Sequence, residues 1–267
     1  METIYERPLD YDLEHEGDEE DVAFYLRLLA RGQPRRVMEL AAGSGRVTIP
    51  LACAAAPKGV HIVGLEREGP MLEEAMRKRA GLDEDVRRCL TFMTGDMRAW
   101  RAEQPFDLII APCSSLSHLL TLDDQIAAWR CASNSLTPGG RFVVDLTMPN
   151  LATYADSMQT PPRTVVELDV DARDPATGTR LLRYKTTRYV PHEQRAEIRF
   201  LYDKFPDRSQ VDRYISDFDC HVYYPREVEL LFLHTGFSVE TWFGDYLMRK
   251  LRTSSRQLIA VGVKSVG

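Results

Sequence analysis

Residues 37–52 read Val-Met-Glu-Leu-Ala-Ala-Gly-Ser-Gly-Arg-Val-Thr-Ile-Pro-Leu-Ala. An apolar strand ends at Leu40, a glycine-rich turn follows, and the run SGRVTIPLACAA begins a helix at Ser44, with Pro50 tolerated in its first turns. Gly43 and Gly45 open backbone angles closed to other residues and let a ligand come close to the main chain. The helix start adds free N–H groups and positive potential.

Working outward, strand and helix signals alternate on both sides of this unit. Before it, EEDVAFYLRLLARG carries Val22, Tyr25, Leu26 and Leu29 at helical spacing, with acids at its start and Gly32 and Pro34 at its end. After it come strand VHIVGLE, helix PMLEEAMRKRA, strands CLTFMTGD and FDLIIAP, helix DDQIAAWRCASNSL and strand GGRFVVDL. Strands of near-continuous Val, Ile and Leu alternating with helices predict a doubly wound α/β sheet covered on both faces. The pattern changes near Arg163. Four strand-like runs, TVVELDVDARD, TRLLRYKTTRYV, QRAEIRFLYDKF and QVDRYISDFDCHV, follow with no helix between them, which predicts an antiparallel insert. Helix PREVELLFLHTG and strands FSVETWF and RQLIAVGVK then restore the α/β style.

Glu66 closes the second strand, about 20 residues past the glycines, where a carboxylate accepts ribose hydroxyls of an adenosine ligand. That ribose is common to NAD, FAD and S-adenosylmethionine (SAM). The dinucleotide fingerprint G-x-G-x-x-G needs a third glycine, and Thr48 stands there.

Glu39-Leu40-Ala41-Ala42-Gly43-Ser44-Gly45 resembles the first motif of the class I SAM-dependent methyltransferases. Further motifs stand in the family's order: Glu66, then Thr94-Gly95-Asp96-Met97, Phe106-Asp107-Leu108-Ile109-Ile110, Leu136-Thr137-Pro138-Gly139-Gly140, and Tyr224-Pro225 through Gly236-Phe237. The resemblance implies a Rossmann-like sheet of seven strands, mostly parallel with the last reversed, and SAM as cofactor. It implies cofactor contacts at Glu39, Ala41, Gly43, Gly45, Arg46, Glu66, Met71, Asp96, Met97 and Cys113, with Glu66 on the ribose and Asp96 on the adenine amine. Glu39 is open between bonding a backbone amide of the glycine turn and the cofactor's amino group. The N-terminal helix, the short chain and the insert are similar to small-molecule methyltransferases such as sugar-amine and glycine N-methyltransferases. The fourth strand ends Ala111-Pro112-Cys113-Ser114, unlike the nucleobase and amide enzymes, and lacks the Asp of the metal-dependent catechol type, so no metal is expected.

An amine or hydroxyl acceptor must lose a proton, so a base helps. His118, in Ser114–His118 beyond the fourth strand, is the candidate, against a purely structural histidine. Tyr11, and less so Tyr5, are candidates for binding substrate or orienting the methyl group. In the insert, Arg180, Arg183, Lys185, Arg188, Arg195, Arg199, Arg208 and Arg213 interleave with Tyr184, Tyr189, Tyr202 and Tyr214. They suit an anionic or aromatic substrate, a solvated sheet face or a homodimer contact.

The formal charge of −6 and the acids interspersed in the insert argue against nucleic acid, and the absence of a long apolar run argues against a membrane span. Five cysteines without a C-x-x-C pair suit reduced thiols in a cytoplasmic protein. The expected organisation is 1–34 as N-terminal lid and helix, 35–160 as SAM-binding core, 161–223 as insert and 224–267 completing the sheet. The expected function is methyl transfer to nitrogen or oxygen of a small molecule. A methyltransferase of peptide groups, a nucleotide-dependent oxidoreductase and a non-catalytic SAM-binding module are the alternatives.

Overall fold

The computed structural model describes residues 3–207 and 209–265. Arg208 lies outside the described residues. The chain forms two compact units, Met1–Asp18 with Asn150–Val222, and Glu19–Pro149 with Tyr223–Gly267.

In chain order the first half contains helices α1 (Pro8–Glu14) and α2 (Glu20–Gly32), strand β1 (Arg36–Leu40), α3 (Thr48–Ala55) and β2 (His61–Glu66). Then come α4 (Gly69–Ala80), α5 (Glu84–Cys89), β3 (Leu90–Thr94), β4 (Phe106–Ala111), α6 (Leu122–Ser135) and β5 (Leu136–Thr147). Helix α7 (Leu151–Ser157) precedes β6 (Glu167–Arg173), β7 (Arg180–Val190), β8 (Arg195–Phe205) and β9 (Asp212–His221). Helix α8 (Pro225–His234), β10 (Phe237–Phe243) and β11 (Gln257–Lys264) close the chain.

The larger unit is a seven-stranded sheet in the order β10-β11-β5-β4-β1-β2-β3. Neighbours from β5 to β3 run parallel, while β11 runs antiparallel to both β5 and β10, so the last strand alone is reversed. Successive apolar side chains point to opposite faces. On one face Met38, Ile109 and Phe142 pack with Trp129 of α6 and Phe232 of α8. On the other, Val37, Ile110 and Val143 pack with Phe24 of α2, Leu51 of α3 and Ala75 of α4. Burial on both faces is why these strands read as continuous apolar runs. The doubly wound fold with an antiparallel insert is as expected from the sequence.

The smaller unit is the antiparallel meander β6-β7-β8-β9 with α1 and α7. One face buries Leu181, Phe200 and Tyr202 with Ile4. Helix α1 turns two acids toward it: Glu14 accepts from the Tyr202 hydroxyl at 2.7 Å, and Asp10 accepts from Lys204 at 2.5 Å. Residues 3–18, with α1, therefore group with the meander, whereas α2 groups with the larger unit.

Several boundaries differ from the sequence reading. Helix α3 starts at Thr48 and not at Ser44, because Gly45 at φ 84° keeps the preceding residues in a turn. The strand placed from Cys89 begins at Leu90, after α5. Helices α1, α5 and α7 have six or seven residues each, too short to show helical periodicity.

Candidate functional site

The carboxyl end of β1 feeds a turn in which Ala41, Gly43 and Gly45 all take left-handed angles, φ 55°, 57° and 84°. The Ala42 N–H donates to the Leu65 carbonyl at 2.9 Å, tying the turn to β2. Gly45 donates to the Ala42 carbonyl, and Ile49 donates to Gly45 as α3 begins. A Cβ on Gly45 would lie 2.9 Å from Ile49 Cδ1 and 3.0 Å from Phe92 Cζ. One on Gly64 of β2 would lie 2.8 Å from Ala42 Cβ. The glycine in the middle of β2 thus lets the turn sit directly on the sheet.

Three acids stand around this turn. Glu39 is buried, and its Oε2 accepts from the Thr48 hydroxyl at 2.6 Å. The sequence left Glu39 between a backbone amide of the turn and the cofactor; within the chain it is the Thr48 side chain that meets it. Burial pushes its carboxyl up to about 8, against the Thr48 hydrogen bond and the Arg46 charge. Thr48, noted in the sequence only as a missing glycine, thus supports Glu39. Glu66, at the end of β2, accepts from Gly43 N–H at 2.7 Å on Oε2, and from Arg67 and Glu68 N–H at 2.8 Å on Oε1. A carboxylate offers about four lone-pair sites. The described bonds use three of them, one on Oε2 and two on Oε1. Asp96, after β3, is gripped by the Arg98 guanidinium at 2.6–3.1 Å, and Arg98 also reaches Asp124 at 2.9 Å. The Arg98 hydrogen bonds hold the Asp96 carboxyl below the usual range.

Arg46 points away from the turn toward α2. Its Nη1 donates to Asp21 Oδ1 at 3.0 Å, and its Nη2 donates to Asp21 Oδ2 and, at 2.9 Å, to Cys113 Sγ. Burial raises the Asp21 carboxyl, but the Arg46 pair outweighs this and leaves it below the usual range. Cys113 and Ser114, just beyond β4, take φ 55° and 56° in succession. Ser114 N–H donates to the Asp145 carbonyl at 3.0 Å. The Asp145 side chain, buried at the end of β5, accepts from the hydroxyls of Tyr25 at 3.2 Å and Tyr246 at 3.1 Å. Burial pushes Asp145 up to about 7, against these bonds and one from the Cys113 backbone. Asp21, Tyr25, Asp145 and Tyr246 were not singled out from the sequence. The one available signal was Asp145, a charge inside the apolar strand Phe142-Val143-Val144-Asp145-Leu146.

His118 ends a short 3-10 turn, Ser115–His118, beyond β4. The Tyr223 hydroxyl holds this turn by donating to the Leu116 carbonyl at 3.2 Å. Burial, then the Arg67 charge, lowers the His118 pKa below its ordinary value. Met71, in the first turn of α4, is buried, and Met97 packs against the core on the α6 face. Tyr11 belongs to the smaller unit, on α1, with its ring 4.5 Å from His15 and 6.4 Å from Tyr5. Glu39, Ala41, Gly43, Gly45, Arg46, Glu66, Asp96, Cys113 and His118 thus all sit at or just past the carboxyl ends of β1 to β4 in the larger unit. Open α/β sheets bind ligands along that edge.

The insert arginines are engaged with carboxylates. Arg180 pairs with Asp171, Arg183 with Asp169 and Glu14, Arg188 with Glu197, Arg199 with Asp217, and Arg213 with Asp203. Arg195 bridges Glu193, Glu197 and Asp219. Tyr202 and Tyr214 stack at 4.6 Å and donate to Glu14 and Asp10. The arrangement among the described residues is a charge-paired sheet face. Among the described residues no group of three or more His, Cys, Asp or Glu side chains is placed to hold a metal ion. Nor, among them, is any helix long and apolar enough to cross a membrane.

A left-handed turn with glycines at 43 and 45, and an acid bonded back to it, thus stand at the carboxyl edge of the sheet. Residues 37–140 match the family model described as a methyltransferase domain. Solved structures share the fold along nearly the whole chain. The CcbJ methyltransferase of Streptomyces caelestis is 23% identical, covering 93% of this chain and 95% of its own, with TM-score 0.72. Streptomyces venezuelae DesVI is 21% identical over 96% and 97%, with TM-score 0.73. CalS10 of Micromonospora echinaspora, solved with SAM bound and described as an amino pentose methyltransferase of calicheamicin biosynthesis, is 20% identical over 93% and 91%, with TM-score 0.66. No curated protein matches the sequence. Residues 37–140 thus match a methyltransferase domain, and the chain shares the fold of solved methyltransferases, one of them described with SAM bound.

Proposed function

We propose that this chain transfers a methyl group from SAM to a nitrogen or oxygen of a small molecule, with sugars and natural products as the acceptor class. The observation that carries the reading is the 41–46 turn with Glu66 bonded back to Gly43 at 2.7 Å. The acceptor class is supported by the neighbour described as an amino pentose methyltransferase. The free thiols of all five cysteines suit a reducing, cytoplasmic setting, and the meander is a candidate homodimer contact.

Glu66 would bind the ribose through its remaining lone pair. Asp96 would meet the adenine amine while Arg98 fixes its orientation. Ala41, Gly43 and Gly45 would give the cofactor close access to the backbone, and Met71 and Met97 would supply apolar surface. Arg46 and Cys113 would shape the wall toward α2, with Glu39 and Thr48 beneath the turn. When bound, the cofactor supplies a methyl group on a positively charged sulfur. The chain's own task is to align the acceptor in line with it, the step that contributes most to such a displacement. His118 would take the acceptor's proton: its lowered pKa keeps the imidazole neutral and able to accept at neutral pH. Tyr11, on α1 of the smaller unit, is the second catalytic candidate.

The test is methyl transfer from labelled SAM to a panel of amino sugars and amine- or hydroxyl-bearing natural products. Transfer to at least one acceptor, with His118→Ala slowing turnover about 10²–10⁴-fold and leaving S-adenosylhomocysteine affinity intact, supports the reading. An unchanged rate in that variant removes His118 from the mechanism. Bound cofactor with no transfer to any acceptor favours a non-catalytic module.

A further inference from the structure

We propose that Asp21 is a positioning residue for the cofactor turn, acting through Arg46. This rests on the methyltransferase reading above, since it assigns the turn to the cofactor.

The contacts close a circuit. Arg46, the residue after Gly45, is held by both Asp21 oxygens and touches Cys113 Sγ at 2.9 Å. The Cys113 backbone bonds the Asp145 carboxylate. Asp145 accepts from Tyr25, which stands one helical turn after Asp21 on α2. Four segments, α2, the glycine turn, the bend after β4 and the end of β5, are therefore tied through polar side-chain contacts.

Asp21 Oδ1 accepts the Val22 N–H at 2.7 Å, as a helix-start acid does, but that contact does not account for its burial against Arg46. Glu20 beside it is exposed and already answers the helix dipole, whereas Asp21 is 6% exposed. A buried ion pair is close to neutral for stability compared with apolar packing, so what it adds is geometry. The planar guanidinium fork met by both carboxylate oxygens fixes the Arg46 side chain in angle as well as distance. The turn it anchors is strained: Ala41 is held at φ 55° without being glycine. Such conformations persist only where surrounding contacts over-determine them. A turn held in its binding geometry before the ligand arrives avoids an ordering cost on binding. Asp21 should thus affect cofactor affinity as well as folding.

Calorimetric titration of the full chain with S-adenosylhomocysteine tests this. Asp21→Asn should weaken binding about tenfold, read well below its unfolding midpoint; it also lowers the unliganded midpoint, because it leaves the buried Arg46 charge without its partner. Arg46→Lys, which keeps the charge and loses the fork, should weaken it in the same direction. Asp21→Asn added to Arg46→Lys should cost under about twofold more, because the two act through one contact. Unchanged affinity in Asp21→Asn, or full additivity with Arg46→Lys, overturns the proposal. If Asp21→Asn fails to fold, the Arg46→Lys result alone decides it. Failure of the unmodified chain to bind would instead overturn the methyltransferase reading itself, and this proposal with it.

Discussion

Alanine at Gly45 meets two separate obstacles that the structure allows to be measured apart. At φ 84° an L-residue is in the left-handed region, which costs roughly 1–2 kcal/mol. Its Cβ would also press on Ile49 Cδ1 at 2.9 Å and Phe92 Cζ at 3.0 Å, and overpacking of that kind costs about 1–3 kcal/mol. Gly59→Ala isolates the first effect: φ is 64° and nothing lies within 4 Å of the new Cβ. Gly64→Ala isolates the second: its φ is not left-handed, but its Cβ would fall 2.7 Å from Phe92 and 2.8 Å from Ala42. Gly45→Ala should therefore lose about 2–5 kcal/mol, near the sum of the other two. Urea unfolding of the three variants, monitored by tryptophan fluorescence, gives the values. A loss below about 0.5 kcal/mol at Gly45, within the usual range for an ordinary surface change, would refute the packing argument.

Asp145→Asn removes a carboxylate whose pKa in the folded chain, about 7, lies above its unfolded value. Folding then favours the protonated form, so the native chain loses this part of its stability as pH rises from about 4 to 7. Relative to the unmodified protein, the variant should gain more than about 1 kcal/mol between pH 5 and pH 8; a constant difference would contradict the assignment. On the exposed face of the meander, Arg199→Ala should change stability by no more than about 1 kcal/mol, because its partner Asp217 is solvated at the surface. The same variant should leave methyl transfer unchanged; a large loss of turnover would return the insert arginines to the site.

The sheet was legible because its strands are buried on both faces and carry uninterrupted apolar runs, as in Phe106–Ala111, and because left-handed turns select glycines that stand out. The meander was legible from strict alternation, as Ile198, Phe200 and Tyr202 against Arg195, Glu197 and Arg199 show. The acids around the turn were legible as positions but not as states. That Arg98 grips Asp96, or that Thr48 supports Glu39, depends on rotamers and on chain segments brought together by folding. The Asp21–Arg46 pair joins residues 25 apart, and the Tyr25–Asp145 bond joins residues 120 apart. Neither spacing corresponds to a periodicity within one element. In the insert the acids were legible but not their pairing, because which carboxylate meets which guanidinium depends on the strand register and on α1.

Calorimetric titration of the full chain with S-adenosylhomocysteine, with NADH as the control, tests the central claim most directly. The glycine turn, Glu66 and the methyltransferase domain predict micromolar binding of the first and none of the second. Absence of S-adenosylhomocysteine binding would contradict the account, and binding of NADH in its place would return the site to the oxidoreductases.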